Sequence, residues 1–234
     1  MTEQDVALSR WGVALSGEAF DNNSLQRSDF EEAIASSPLV DMASEPDSSQ
    51  LRVEARDNSV FKFYRADSAG ALAAFRIPTK RSTSLPRKVQ GIVEHLAIYN
   101  RLLALEAPQS YVPSAIDVQF VRLLEPAKLG VTPEAEPLAA NEAGELVMQA
   151  GQNLAIAFTH SAPDPLYLYV LALDGRSQSA SMVYPYKAEF SARVKPNETV
   201  TVGAGPVYLI EVQAPEGYAS GIDTFKVFVS SKAI

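Results

Sequence analysis

Few side chains in this sequence could make or break covalent bonds. The chain has 234 residues, two histidines (His95 and His160) and no cysteine. The lack of cysteine excludes a thiolate nucleophile, a disulfide and a zinc site with sulfur ligands. No serine stands in a G-x-S-x-G turn, so a Ser-His-Asp triad would have to assemble from distant residues. A hydrolase with such a triad is kept only as a third alternative.

The two histidines also have structural explanations. His95 lies close to the apolar stripe of a helical pattern, and we expect it to be half-buried and hydrogen-bonded. His160 ends a strand pattern just before Ser161, and we expect it to be exposed. We predict that neither is catalytic.

Metal and cofactor motifs are missing from the sequence. It contains no H-x-x-x-H, no H-E-x-x-H and no D-x-D-x-D-G loop. The segment Gly203-Ala204-Gly205-Pro206 precedes a strand pattern, whereas a phosphate cradle needs a helix after its glycines. This segment therefore predicts a tight turn. We predict no catalytic residue, no metal site and no cofactor.

Charge is distributed unevenly along the chain. The net charge of −8 divides into −8 for residues 1–50, +5 for residues 51–110 and −5 for residues 111–234. A basic block in the middle segment is one candidate binding surface, formed by Arg76, Lys80, Arg81, Arg87 and Lys88. It is either a solvated loop or a docking surface for an acidic partner, which could be residues 1–50 of the same chain. Nucleic acid is not expected, because the chain is acidic overall and the block lacks interleaved aromatic residues.

Tyrosines supply a second candidate surface, for which we select Tyr184 and Tyr186. Six tyrosines of the predicted strands and turns after residue 160 could pack their rings or line a recognition face: Tyr167, Tyr169, Tyr184, Tyr186, Tyr208 and Tyr218. A tyrosine in a strand usually packs its ring and leaves its hydroxyl in water. Both interpretations stay open.

The first half of the chain mixes helix and strand patterns. Residues 1–17 fit either a helix or a strand, and Ser28-Asp29-Phe30-Glu31 is a capping box that predicts a short helix to about Ser36. Strands are predicted at 51–56, 60–64 and 71–77. A long helix begins at Pro86, and its apolar stripe follows a spacing of 3.6 residues: Val89, Ile92, Val93, Leu96, Tyr99 and Leu103. Pro108 ends it.

After this helix the hydrophobic period changes to two. Residues 125–145 are rich in Pro, Ala and Glu and predict an exposed loop. Short strands with turns between them are predicted at 116–120, 146–148, 154–159, 166–173, 179–184, 190–194, 199–202, 207–212 and 225–229. Asp174-Gly175 predicts a hairpin turn, and the strand at 166–173, apolar on both faces, should be central.

These patterns predict an α+β fold. Residues 1–110 would form a small mixed α/β region with an acidic head and a long C-terminal helix, and residues 111–234 an antiparallel β-sandwich, immunoglobulin-like or similar. No run of apolar residues is long enough for a spanning helix, and the start lacks the features of a secretory signal. We therefore expect a soluble cytoplasmic protein without a membrane partner.

Two stretches resemble the part of bacterial and fungal caspase-like proteins that follows the peptidase domain. Ile92 to Leu105, with Pro108 after it, resembles the helix downstream of that domain. The order Leu166 to Gly175, Tyr184-Pro185 and Gly221 to Val229 resembles the family's C-terminal β-domain. The resemblance covers residues 88–234. Because the family's peptidase needs a cysteine–histidine dyad and this chain has no cysteine, the resemblance implies either the non-peptidase portion of such a protein or a separate protein built from that portion.

Two main functional hypotheses follow. The first is a non-enzymatic accessory or regulatory module whose protein partner, as the resemblance implies, is a caspase-like peptidase. The second is a stand-alone carbohydrate- or peptide-binding β-sandwich.

Overall fold

The structure of the chain is a computed structural model. It describes residues 10–43, 48–56, 60–65, 71–76 (backbone only), 85–106, 115–125, 133–175, 177–186, 191–205, 208–214 and 221–233. Within these residues there are three helices and fifteen strands, so the fold is α+β. The chain divides into two compact units, Met1–Ala104 (unit 1) and Leu105–Ile234 (unit 2). The sequence analysis placed this division between residues 110 and 111.

Unit 1 contains one sheet and the three helices. Its elements are β1 (Trp11–Ser16), α1 (Glu18–Asp21), α2 (Arg27–Ala35), β2 (Val40–Met42), β3 (Leu51–Ala55), β4 (Val60–Arg65), β5 (Ala71–Arg76) and α3 (Leu85–Ala104). The strand order is β2-β1-β3-β4-β5. β1 runs parallel to both β2 and β3, whereas β4 is antiparallel to both β3 and β5. The first segment is thus a strand where it is described, which settles the choice left open between helix and strand.

The core of unit 1 lies between the helices and one face of the sheet. Along β3 the residues Leu51, Val53 and Ala55 are buried and alternate with more exposed ones, as the period of two requires. The helical stripe predicted from the sequence is confirmed, because Val89 and Val93 of α3 are fully buried in the same cluster. Trp11 of β1 packs against this cluster while partly buried.

Unit 2 is built from strands. They are β6 (Ile116–Leu123), β7 (Ala135–Pro137), β8 (Asn153–His160), β9 (Leu166–Asp174), β10 (Ser179–Tyr184), β11 (Arg193–Val194), β12 (Thr199–Val202), β13 (Ala204–Gly205), β14 (Tyr208–Glu211) and β15 (Asp223–Ser230). One sheet has β9 at its centre, paired with β10, β11 and β15. The other has the order β13-β14-β8-β6-β7, and β12 also pairs with β8. The prediction of a central strand at 166–173 is confirmed.

The two sheets of unit 2 share one buried cluster. Ile156 and Phe158 of β8 meet Leu168 and Val170 of β9, and all four are completely buried. Strands apolar at alternate positions therefore place one face of each sheet against the other.

Several local predictions were wrong. The strand predicted at 146–148 is irregular chain, and Val147 there is 74% exposed, because too few apolar neighbours favour its burial. The predicted loop at 125–145 contains β7, which pairs with the end of β6. The capping box fails because α2 begins at Arg27, which places Ser28 inside the helix, and Gln26 at the cap makes no side-chain capping bond.

Two predicted turns can be compared with the backbone. The tight turn predicted for Gly203 to Pro206 is present at Gly203 only, because Ala204 and Gly205 form β13 and Pro206 lies outside the described residues. Gly203 has φ +87°, and a Cβ there would lie 2.8 Å from the carbonyl oxygen of Leu154, so this position needs glycine. The hairpin after β9 is confirmed by the pairing of Asp174 with Ser179. In the described part of that turn the positive φ, 51°, belongs to Gln178 rather than to the Asp-Gly pair.

Candidate functional site

The tyrosine surface, formed by Tyr184, Tyr186 and Tyr208, is the site that the structure assembles from distant parts of the chain. Tyr184 ends β10, where the pairing with β9 shifts register after Met182. A cis peptide bond joins Tyr184 to Pro185, and Tyr186 follows. Tyr208 begins β14 in the other sheet of unit 2.

Two of the three rings stack face to face. The ring centroids of Tyr186 and Tyr208 are 6.0 Å apart, and the ring planes differ by 15°. Tyr208 and Tyr184 pack against the shared core of unit 2, whereas Tyr186 is 37% exposed. The exposed Tyr186 ring thus stacks on the Tyr208 ring, whose position is fixed by the core. This lowers the conformational entropy that Tyr186 loses when a ligand binds.

Two hydroxyl groups of this surface, those of Tyr184 and Tyr208, have pKa values raised above the ordinary value. Burial, followed by the charge of Glu198, raises the pKa of Tyr184 above its ordinary value. Burial also raises the pKa of Tyr208. The Tyr184 hydroxyl donates to the carbonyl oxygen of Ser191 at 3.4 Å. The surface therefore offers flat apolar rings edged by neutral hydroxyls, a chemistry that suits a sugar ring or an apolar protein side chain.

The basic block is only partly described. Arg87 and Lys88 are exposed in the first turns of α3. Arg76 ends β5, where only its backbone is described and pairs with Val60. Lys80 and Arg81 lie outside the described residues.

Arg87 has neutral partners. Its Nη1 donates to the hydroxyl of Ser36 at 2.7 Å and to the amide oxygen of Gln90 at 2.9 Å. The Gln90 amide in turn donates to Glu94 at 3.0 Å. This network joins the start of α3 to the end of α2, so Arg87 has a structural role inside unit 1 as well as an exposed surface. Docking of an acidic partner on the block stays a prediction.

Both histidine environments differ from expectation. His95 is exposed on α3, because its position on the helix falls outside the buried stripe. His160 is 1% exposed, and its Nε2 lies 3.1 Å from the carbonyl oxygen of Val194. The expected exposure of His160 was wrong because the chain that leads into β12 covers the end of β8, where the backbone N–H of Asn197 donates to the His160 carbonyl at 2.8 Å.

The described part of the chain contains no group of three or more His, Cys, Asp or Glu side chains placed to hold a metal ion. In the same residues, no helix has the length and apolar character needed to cross a membrane.

Sequence reasoning selected Tyr184 and Tyr186 but left Tyr208 out of the binding set. Tyr208 and Ile210 alternate along β14 and both pack against the core, a pattern visible in the sequence. The stacking of Tyr186 on Tyr208 is not visible in the sequence, because Tyr186 follows β10 and Tyr208 lies in the other sheet.

No family model, no curated protein and no solved structure matches the chain. The fold and the tyrosine surface together define an α+β protein with a β-sheet unit that carries an aromatic surface. The resemblance to the region that follows caspase-like peptidase domains stays a prediction.

Proposed function

We propose that this chain is a non-enzymatic accessory module that binds a protein partner through the tyrosine surface. The stacked pair Tyr186–Tyr208 is the observation that carries the proposal, because an exposed ring backed by a fixed ring is typical of the aromatic anchors that dominate protein interfaces. Burial raises the pKa of Tyr208, so the phenol of this inner ring is neutral where the stack forms.

The partner that we propose is a caspase-like peptidase, which makes the chain a regulatory companion of that enzyme in the cytoplasm. This assignment is supported by the resemblance over residues 88–234 and by the lack of cysteine, which places the catalytic residues of such a peptidase outside these 234 residues. We propose further that the two sheets of unit 2 form an immunoglobulin-like sandwich, an arrangement that their shared core supports. An experimental structure with a different strand connectivity would contradict the proposal of an immunoglobulin-like sandwich.

Affinity capture tests the partner. Full-length tagged chain would be incubated with native lysate, and peptidases in the eluate would be identified by mass spectrometry. Truncation of Tyr186 to alanine removes the exposed ring while leaving Tyr208 in the core, and we expect the affinity for the peptidase to fall at least roughly tenfold. Tyr186→Phe keeps the stack and should keep most of the binding.

Met182→Ala is the matched control. Met182 is 49% exposed on β10, close to Tyr184 in sequence but outside the tyrosine surface. A peptidase retained by Met182→Ala and lost by Tyr186→Ala supports the proposal. Capture that is equally strong with Tyr186→Ala, or the absence of any caspase-like peptidase among the captured proteins, contradicts it.

A carbohydrate is the second candidate ligand. The same stack favours it, because a sugar presents a flat apolar face that packs on an aromatic ring, with neutral hydroxyls nearby. A glycan array would separate the two candidates: binding to a defined glycan that is lost in Tyr186→Ala but kept in Met182→Ala selects the carbohydrate.

A further inference from the structure

One side of unit 2 leaves its core half-exposed. Six apolar side chains from two strands pack against the core cluster but are only partly buried: Ile116, Val118 and Phe120 of β6, and Phe225, Val227 and Val229 of β15. Their core-facing counterparts in the centres of the sheets, such as Phe158 and Leu168, are completely buried. The core therefore reaches solvent along this side, where the rings of Phe120 and Phe225 meet with centroids 6.2 Å apart.

β15 forms the edge of its sheet on this side. It pairs with β9 over eight residues, and within the described parts of the chain it pairs with no other strand. Residues Thr224 to Ser230 are all of intermediate burial, on both faces of the strand, as expected of an edge with open backbone groups. The pairing with β9 has no register shift and the strand has no proline. It thus lacks the bulges and prolines by which natural proteins protect an edge, and its charged residues are Asp223 at its start and Lys226.

The residue pattern of β15 is complementary to itself. Two antiparallel copies centred on Val227 would place Phe225 of one copy opposite Val229 of the other, on the core side of both. The polar ends would also match, with Thr224 opposite Ser230. Because every such pair joins residues an even number of positions apart, core-facing residues meet core-facing residues throughout.

Charge supports the same register. Asp223 of one copy would lie opposite Ser231 of the other, next to Lys232, so the ends of the two strands carry opposite charges. On the outer face Lys226 would lie opposite Phe228 of the second copy. A twofold interface of this kind is isologous, so each favourable pair occurs twice.

We propose that two copies of this chain associate through antiparallel pairing of their β15 strands, centred on Val227. The pairing joins the two β9 sheets into one continuous sheet and covers the half-exposed side of each core. It uses neither Tyr186 nor Tyr208, so it is independent of the proposed tyrosine surface.

A pair of charge variants at one position tests this register. Phe228→Lys and Phe228→Glu both remove the ring that faces Tyr169 within the chain, so the cost to the monomer is similar. In the dimer, residue 228 of each copy faces Lys226 of the other copy. Phe228→Lys would therefore place a second positive charge next to Lys226, whereas Phe228→Glu would place a negative charge there. We expect the dissociation constant of Phe228→Lys to rise at least roughly tenfold and that of Phe228→Glu to stay near or below the wild-type value at low salt.

Sedimentation velocity of the full chain over a range of protein concentrations measures both constants, and circular dichroism verifies that each variant is folded. A wild-type dimer that Phe228→Lys weakens and Phe228→Glu preserves supports the proposal. A wild-type chain that stays monomeric at every concentration overturns it, and so does a dimer that responds equally to both charges.

Discussion

His160 is held inside unit 2 by a single hydrogen bond to the backbone. Its ring lies 6.0 Å from that of Phe158, and its Nε2 lies 3.1 Å from the carbonyl oxygen of Val194. Because the side chain is 1% exposed, removing it leaves both a cavity and a buried carbonyl without that donor. We assign His160 a structural role.

Replacement of His160 by alanine should lower the free energy of unfolding of unit 2 by about 2–4 kcal/mol, because cavity and hydrogen-bond costs add. Urea denaturation followed by circular dichroism measures the change. His95→Ala is the control: that side chain is exposed on α3, and its loss should change stability by no more than about 0.5 kcal/mol. Equal effects of the two variants would show that the imidazole of His160 does not support the fold.

Tyr208 gives a pH-dependent prediction. Burial raises its pKa above the ordinary value of 10.0, so the unfolded chain loses this proton at a lower pH than the folded chain. The neutral phenol therefore stabilises the fold below pH 10, and this contribution is lost as pH rises through the pKa of the folded state. The wild type should lose stability relative to Tyr208→Phe as pH rises above about 10, as measured by denaturation at each pH. A constant difference across this range would contradict burial of the hydroxyl.

At the level of single residues, the sequence indicated which side chains could form a site, but not how buried or hydrogen-bonded those side chains are. Tyr184 and Tyr186 were selected as tyrosines of the strand-rich half that could line a recognition face. The burial of His160 depends on the segment before β12, which no local pattern around residue 160 specifies. Arg87 was recognised as exposed and basic, but its bond to Ser36 requires knowing how α2 and α3 pack.

Gly91 in α3 has room for a side chain, whereas Gly203 in the turn before β13 does not. Gly91 lies inside α3, where an added Cβ would meet nothing within 4 Å. Gly203 has φ +87°, and an added Cβ would lie 2.7 Å from Cδ1 of Ile210. The first glycine is costly to the helix and the second is required by the turn.

Gly91→Ala should therefore raise the free energy of unfolding of unit 1 by about 0.5–1 kcal/mol, since alanine favours the helix and has room. Gly203→Ala should lower that of unit 2, because the backbone conformation is strained for alanine and its methyl group would collide with Ile210. Thermal unfolding of both variants measures these signs. A destabilised Gly91→Ala protein would mean that the α3 surface is more crowded than described.

Among the elements, hydrophobic period predicted those with the clearest patterns. α3 has a stripe at helical spacing, and β8 and β9 have apolar residues in short runs, so all three were predicted. The parallel pairing of β1 with β2 and β3 was not, because the pattern of one strand does not say which way its neighbours run. β11 is shorter than predicted, with only Arg193 and Val194 paired to β9.

Each unit has a core cluster of its own residues. The cluster of unit 2 is formed by strands from β6 to β15, and that of unit 1 by β1 to β4 with the helices. A fragment of residues 105–234 should consequently fold without unit 1 and unfold cooperatively. Leu168→Ala in this fragment should cost about 2–5 kcal/mol, because Leu168 is completely buried. A disordered fragment in circular dichroism would contradict this independence.

The change of hydrophobic period after the long helix predicted two parts, residues 1–110 and 111–234, and the structure divides after Ala104. The sequence alone could not position the boundary more closely, because residues 105–110 belong to neither a helical nor an alternating pattern.

The single tryptophan of the chain, Trp11, lies in β1 and packs on the core of unit 1. Indole emission therefore reports on that unit alone, whereas unit 2, with its tyrosines but no indole, contributes nothing when tryptophan is excited selectively. A spectrofluorimeter can thus follow the melting of one half of the molecule without any label. Where the melting curve from tryptophan emission differs from the melting curve from circular dichroism, the difference reports the unfolding of unit 2.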